Sequence, residues 1–336
     1  MICSIIVFLI GLTGALAFYY LHLPMPWLLG SIFFLLCSQF FIKRELVWPS
    51  IMRNIGLIIV GIAIGQQFNF AIFSEMGIIL PYLIGVNIAL FVFAIIVSYC
   101  LHRLTKMSFK TALISSIPGG LSQFVTFAEE DRDIKLAIVT YYHVIRVICV
   151  VLVIPFLITG HALEMTNGSA GMTWQLVWLF ALSVAASWVG EKLKLPVPQF
   201  LGPVIAVICV QFTGVAVEPV PFPVLYVAQI FIGAYIGLLL KPHMFKLPRV
   251  IFVGGILSTV LLISFSYGMG VVLQHGLHYS YETSFLSTAP GGLDQMGLLA
   301  AGVGADISVV TTYQLFRILF IFLIILPILR KWLLQK

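Results

Sequence analysis

Charged side chains are scarce in this chain. Lys, Arg, Asp and Glu make up 9% of its 336 residues, while apolar residues make up 61%. Soluble domains carry about 25% charged and roughly 45–50% apolar residues, so a soluble globule is excluded. Long loops are lacking, and with them any inserted soluble domain. The period-two alternation of membrane β-strands is missing. The five cysteines, Cys3, Cys37, Cys100, Cys149 and Cys209, lie in apolar runs without CxxC spacing, which argues against a disulfide frame or a zinc site. No nucleophile–base pairing, nucleotide loop or haem motif occurs, so the chain is expected not to be an enzyme. A basic n-region is also missing, so Ala15-Leu16-Ala17 in the run Cys3–Tyr19 is read as part of a retained helix, not a signal-peptidase site.

What the chain does contain is a series of apolar runs near membrane-spanning length, the mark of helices crossing about 30 Å of hydrocarbon. It also repeats itself at an offset of 172. Leu21–Gly30 (LHLPMPWLLG) maps onto Leu193–Gly202 (LKLPVPQFLG), Gly61 and Gly65 onto Gly233 and Gly237, and Pro155 onto Pro327. SSIPGGLSQ at Ser115–Gln123 maps onto STAPGGLDQ at Ser287–Gln295. A duplication of this extent is the first organising fact of a chain. Membrane repeat 1 is expected at 1–160, membrane repeat 2 at 172–336, and an external linker at 161–171. Each repeat offers six apolar elements, near 3–20, 27–42, 51–67, 77–101, 109–129 and 135–159, then 172–190, 197–214, 224–240, 248–273, 283–304 and 306–329. The fifth of each is cut by Pro-Gly-Gly.

Loop cations decide between two topologies. If all twelve elements cross, nine loop Lys and Arg fall on one side (Lys43, Arg44, Arg53, Arg103, Lys106, Lys110, Arg330, Lys331, Lys336) and seven on the other (Arg132, Lys135, Lys192, Lys194, Lys241, Lys246, Arg249). If each fifth element instead turns at Pro-Gly-Gly and leaves by the side it entered, the halves are inverted and all sixteen share one side. Under the positive-inside rule that side is the cytoplasm. The expected fold is therefore an all-α polytopic membrane protein of two inverted repeats. Each repeat has five transmembrane helices plus one re-entrant hairpin broken at Pro-Gly-Gly. The protein sits in a bacterial-type inner membrane with both termini cytoplasmic. The net charge of +6 is accounted for by orientation, so no nucleic-acid partner is implied. About eight residues separate Lys110 from Pro118 and Glu282 from Pro290; at 1.5 Å each they reach roughly 12 Å deep, near the midplane.

Irregular backbone at that depth needs protein or a water-filled cavity around it. Broken elements at matching places in two halves point to a transporter's binding site. The candidate substrate-binding residues are Gly119, Gly120 and Gln123 at the first tip and Gly291, Gly292 and Gln295 at the second. Arg146 with His143 and Arg317 with Gln314 join them from the sixth elements. YYHVIRVI (Tyr141–Ile148) and TYQLFRIL (Thr312–Leu319) set a hydrogen-bonding residue three before each arginine, on the same helix face. Intramembrane cations are functional candidates, and an arginine pair suits a carboxylate. Equally open is that each arginine pins tip carbonyls or pairs with Asp294. Asp294, opposite Ser122 in the repeat, is a candidate for ion coupling to Na⁺ or H⁺, with a helix-capping role as the alternative. Asp306 reads as a cap. His275 and His278 lack a third ligand for a metal, and no cofactor is implied. The run Glu129–Lys135 (EEDRDIK) reads as a solvated exit.

These residues resemble the AbrB family of duplicated membrane proteins, which carries SxPGG followed by a GAD…Q..R helix. Here that is SxxPGG at Ser287–Gly292 and GADISVVTTYQLFR at Gly304–Arg317. The weaker first copy is SSIPGG with DIKLAIVTYYHVIR at Asp133–Arg146, where His143 replaces the Gln. The resemblance implies a membrane-bound regulator of gene expression acting through a partner, or, by a looser label, an ammonia monooxygenase. No copper or iron ligand set supports the latter. The residues themselves favour a secondary transporter of a small anionic, carboxylate-type solute working by alternating access. Its expected partners are that solute and the lipid bilayer, and by fold analogy a second copy in a homodimer.

Overall fold

The structure, a computed structural model, describes residues 2–42, 45–68, 71–119, 124, 127–128, 131, 133–158, 174–215, 217–242, 244 and 247–333. Gly120, Gln123 and the expected linker 161–171 lie outside these. No strand occurs among the described residues. The main helices are α1 (Ile2–Tyr20), α2 (Pro26–Phe41), α3 (Ser50–Gln66), α4 (Met76–Thr105), α5 (Phe109–Ser116) and α6 (Leu136–Ile158). The second half gives α7 (Trp174–Lys192), α8 (Pro198–Phe212), α9 (Phe222–Gly237), α10 (Arg249–Leu277), α11 (Tyr281–Thr288) and α12 (Leu293–Val303). The last element starts as α13 (Ile307–Phe320), passes through a π-helical stretch at Ile321–Ile325 and ends as α14 (Leu326–Leu333).

Among the described residues, five helical segments are long and apolar enough to cross a membrane: Cys3–Tyr20, Met76–Thr105, Leu136–Ile158, Arg249–Leu277 and Ile307–Trp332. Helices α2, α3, α8 and α9 run only 15–17 residues, short of the roughly 20 that span a bilayer unaided. Along α4 the exposed face carries Ile78, Ile88, Val92 and Ile96. A soluble protein has no use for such a stripe, whereas hydrocarbon accepts it.

The helices gather into two compact units, each drawing on both halves of the sequence. The first takes Met1–Asn69, Pro155–Leu239 and Gly297–Ile307; the second takes Phe70–Ile154, Leu240–Met296 and Ser308–Lys336.

In the first unit α1 packs on α2 and α7 on α8, while α3 packs on α8 and α9 packs on α2. Glycines set these seams by letting backbones meet, as in membrane helix pairs. A Cβ on Gly61 would lie 2.7 Å from the Phe200 carbonyl, and one on Gly233 would lie 2.8 Å from the Leu28 carbonyl. Further along, Gly65 meets Val204 and Val207, and Gln211 Nε2 donates to the Gln66 carbonyl at 3.0 Å. Contacts that advance together in this way mean that α3 and α8 run in the same direction. The same holds for α2 and α9, where Gly233 meets Leu28, Gly237 meets Ile32 and Gln39 Nε2 donates to the Gly237 carbonyl at 2.9 Å.

Among the described residues, the non-glycine residues with positive φ are His22, Met25, Lys106, Lys194, Val197 and His278. They form three pairs at the spacing of 172. An unfavourable backbone state kept twice at three places ties the two halves together more closely than side-chain identity does. Val197, β-branched at φ 47°, is strained outright.

In the second unit α4 packs on α5 and α10, and α10 packs on α11. Ser108 caps α5 by accepting from the Thr111 N–H at 3.2 Å, and Ser280 caps α11 through Thr283 N–H at 3.2 Å. Proline restricts its predecessor to extended backbone. Both short helices accordingly stop with Ile117 (φ −66°, ψ 123°) and Ala289 (φ −56°, ψ 137°) extended.

Candidate functional site

Ending a helix inside an apolar core leaves its last carbonyls without water or helix partners. The second unit supplies those partners from its arginines. Arg146, 3% exposed, donates Nη1 to the Ile117 carbonyl at 3.2 Å. Arg317, also 3% exposed, donates Nη1 to the Ala289 carbonyl at 2.6 Å and Nη2 to the Gly291 carbonyl. Each arginine thus holds the pre-proline carbonyl of its own half. These are the tip-carbonyl contacts, one of the roles left open by the residues alone. In both guanidinium groups Nε is buried with no hydrogen-bond partner, which leaves one charged N–H on each available to a ligand.

The two tips are held to different degrees. Gln314 donates Nε2 to the Leu286 carbonyl at 2.7 Å and to the Ala289 carbonyl at 3.2 Å, and its Oε1 accepts from Arg317 Nη2. His143 occupies the matching place in the first half but turns away. Its Nδ1 lies 3.0 Å from the Val139 carbonyl, which can only accept, so Nδ1 carries the proton. Its Nε2 is buried without a partner, and its ring lies 5.0 Å from that of Phe124. The second tip is clamped by Gln314 and Arg317 together; the described contact to the first is from Arg146 alone.

Gln295 and Asp294 belong to the start of α12. Gln295 Oε1 accepts from the Gly292 N–H at 2.7 Å, the backward half of a capping box, and its Nε2 reaches Asp294 Oδ2 at 3.3 Å. Asp294 is 6% exposed and sits in the first turn, where the helix dipole favours a carboxylate. Gly119 and Gly291 approach Phe124 and Met296, so a Cβ on either would collide with that side chain. Further buried hydroxyls without a partner lie in the same unit, among them Ser115, Tyr142, Ser284, Thr311 and Tyr313. Tyr142 and Tyr313 each directly precede the residue three before an arginine. Spacing pointed to the arginines and to the tyrosine four before each, but not to Ser115, Ser284 or Thr311, nor to Asn87, which is 4% exposed. A lone amide in a 30-residue apolar helix was the signal available for Asn87.

Where the chain enters the first broken element, Lys110 Nζ lies 2.7 Å from Asp131 Oδ2 and 3.5 Å from Asp133 Oδ2. The hydrogen bond from Lys110 holds the Asp131 carboxyl below the usual carboxylate range, and the same bond raises the Lys110 ammonium above its ordinary value. Asp131 and Asp133 of the run expected as a plain solvated exit therefore close on α5, while Glu129, Glu130 and Arg132 lie outside the described residues. Glu282 replaces Lys110 in the repeat, so this closure belongs to the first half alone. His275 Nδ1 lies 2.9 Å from the Val271 carbonyl and His278 ends α10. Among the described residues no group of three or more His, Cys, Asp or Glu is placed to hold a metal.

Apolar spanning helices around broken, arginine-capped elements make this a helical membrane protein with a buried polar centre. The chain belongs to the family described as "Transition state regulatory protein AbrB", whose model matches residues 27–333. It is similar to "Uncharacterized protein YhjN" of Bacillus subtilis strain 168, at 28% identity over 96% of this chain and 89% of that protein. It is also similar to "Putative regulator AbrB" of Escherichia coli K12, at 27% identity over 94% of this chain and 92% of that protein.

Proposed function

We propose that the chain is a secondary transporter that moves a small anionic solute by alternating access, and that it is not an enzyme. The observation that carries this is the pair of buried arginines. Each donates Nη1 to the carbonyl that ends a broken helix and keeps Nε unpartnered. An uncompensated buried cation is costly, and an anion arriving between the breaks relieves that cost. Asp294 is the candidate for coupling to Na⁺ or H⁺.

The inverted arrangement has support beyond the loop cations. Helices α3 and α8 are parallel, as are α2 and α9 (Gly61 with Phe200, Gly65 with Val204, Gly233 with Leu28, Gly237 with Ile32). Consecutive crossing helices alternate, so α8 and α9 oppose each other, and α3 then opposes its own repeat α9. Two halves that point in opposite directions need an odd number of crossings in the first. A first broken element that returns to its own side meets that need. The 15–17-residue helices complete their crossings with flanking loop or local bilayer thinning. On this reading ten helices cross, and both termini are cytoplasmic.

The regulator wording in the family description and in the Escherichia coli relative's name suggests a protein acting through a cytoplasmic partner. The cytoplasmic joints of this reading favour it little, since 42–49 and 238–248 are only eight and eleven residues long. The test is uptake or efflux of radiolabelled carboxylates in proteoliposomes. Arg146→Lys and Arg317→Lys, each losing the planar fork, are expected to abolish transport while the protein stays monodisperse. Unchanged transport in both sinks the arginine site.

A further inference from the structure

We propose that the solute accepted at this site is a monocarboxylate with an apolar body, not a di- or tricarboxylate. This rests on the transporter reading above and names its substrate class.

A small, nearly closed cavity lies beside Arg317 within the second unit. Two polar side chains line it, Arg317 and Asn87. Its other walls are hydrocarbon: Leu90, Phe91, Phe320 and Ile325, with Ile117 and Pro118 of the first break closing it. The break whose Ile117 carbonyl is held by Arg146 therefore faces the arginine of the other half across one cavity.

The charge this cavity can neutralise is small. Both Nη groups of Arg317 are committed to Ala289, Gly291 and Gln314, and its Nε is the unpartnered donor. Asn87 already donates Nδ2 to the Leu83 carbonyl at 2.7 Å. One carboxylate meets one charged N–H here. A second carboxylate would lie against Phe and Ile without a partner, and burying an unpaired charge in such walls is prohibitive. An alkyl or aryl body suits the same walls.

The π-helical stretch Ile321–Ile325 gives a second, independent pointer. Ile321 and Ile325 both line the cavity, and π-turns inside α-helices are rare and favour functional sites. Counted from the arginines, which are 171 apart, the matching residues 150–154 stay α-helical, with Val150, Val151 and Ile154 fully buried. The cavity thus belongs to a departure from regular helix that one half makes and the other does not. Its free space now takes about one water molecule, so this is a closed state. The solute enters when Phe91 and Phe320 move aside.

The test is a thermal-shift titration of the purified full-length protein in detergent at constant ionic strength. The probes are butyrate, isovalerate and benzoate against succinate and citrate, with chloride as the control. Stabilisation by at least one monocarboxylate and by neither succinate nor citrate is expected, and it should vanish in Arg317→Lys. Phe320→Ala, or Leu90→Ala if the first is unstable, should shift preference toward longer acids such as octanoate by at least about tenfold, the effect of a methylene or more in an apolar pocket. Stabilisation by succinate or citrate, alone or equally with the monocarboxylates, overturns the substrate class but leaves anion transport standing. No stabilisation by any of these anions removes both.

Discussion

Arg317 belongs to a helix that runs on past it, yet its guanidinium is bonded to a different helix, at the Ala289 carbonyl that Pro290 exposes. Residues in this centre act by satisfying backbone that the breaks leave bare. Removing Gln314 is therefore a test of structure. Gln314→Leu strands the Leu286 carbonyl and leaves Arg317 less constrained. It should cost about 1–3 kcal/mol, read as a lowered melting temperature in detergent. His143→Gln should do the reverse. Gln at that place can turn to the Ile114 and Ile117 carbonyls as Gln314 turns to Leu286 and Ala289, so transport should persist and the melting temperature hold or rise. A loss of folded protein in His143→Gln would mean that the histidine's contact with Val139 matters more than the tip. At this scale the sequence singled out the arginines and the residue three before each. It was a poor guide to direction: nothing in YYHVIRVI says that His143 turns back to Val139 while its counterpart reaches the break.

Among elements, the glycine seams of the first unit and the closure of the first broken element make the sharpest expectations. Gly61→Val and Gly233→Val push a side chain into the Phe200 and Leu28 carbonyls. Overpacking of this kind costs about 1–3 kcal/mol, so both should lose monodisperse protein on size exclusion. Gly85→Ala, with nothing within 4 Å, should be neutral. The Lys110–Asp131 bond sets a pH window. A lowered Asp131 pKa means the bond contributes above the ordinary carboxylate value near pH 4 and is lost as pH falls through the folded value. A raised Lys110 pKa means it contributes below the ordinary lysine value and is lost as pH rises through the folded one. Proteolysis near Asp133 should therefore be flat from about pH 5 to 9 and increase in acid, and Lys110→Gln should remove that pH dependence.

The helix stops at Pro118 and Pro290 were legible at this scale because their signal is local. The pairing of α3 with α8 was not: it joins residues more than 130 apart and depends on which small faces match. The π-helical stretch IFLII at Ile321–Ile325 resembles VVLVI at 150–154, which stays α, in composition; what sets it apart is one extra residue, since Pro327 lies ten beyond Arg317 and Pro155 nine beyond Arg146.

For the whole molecule, repeat and compact unit are different divisions of the chain. The repeat is written in the sequence at an offset of 172, down to the φ values of Met25 and Val197. The units cut across it, bringing the first three helices of both halves into one body and the breaks with their arginines into the other. Matching residues predict the duplication but not this regrouping, because offsets carry no information about which half packs on which. The central claim is that the two halves point in opposite directions, so that two repeat-related breaks approach one centre from opposite faces. Leu21 and Leu193 test it most directly. They are repeat partners at the α1–α2 and α7–α8 turns and are exposed by 67% and 68%. In a background without the five native cysteines, Leu21→Cys should react with a membrane-impermeant maleimide on intact cells, and Leu193→Cys should react only once the membrane is opened. Both cysteines reacting from the same side would contradict the account.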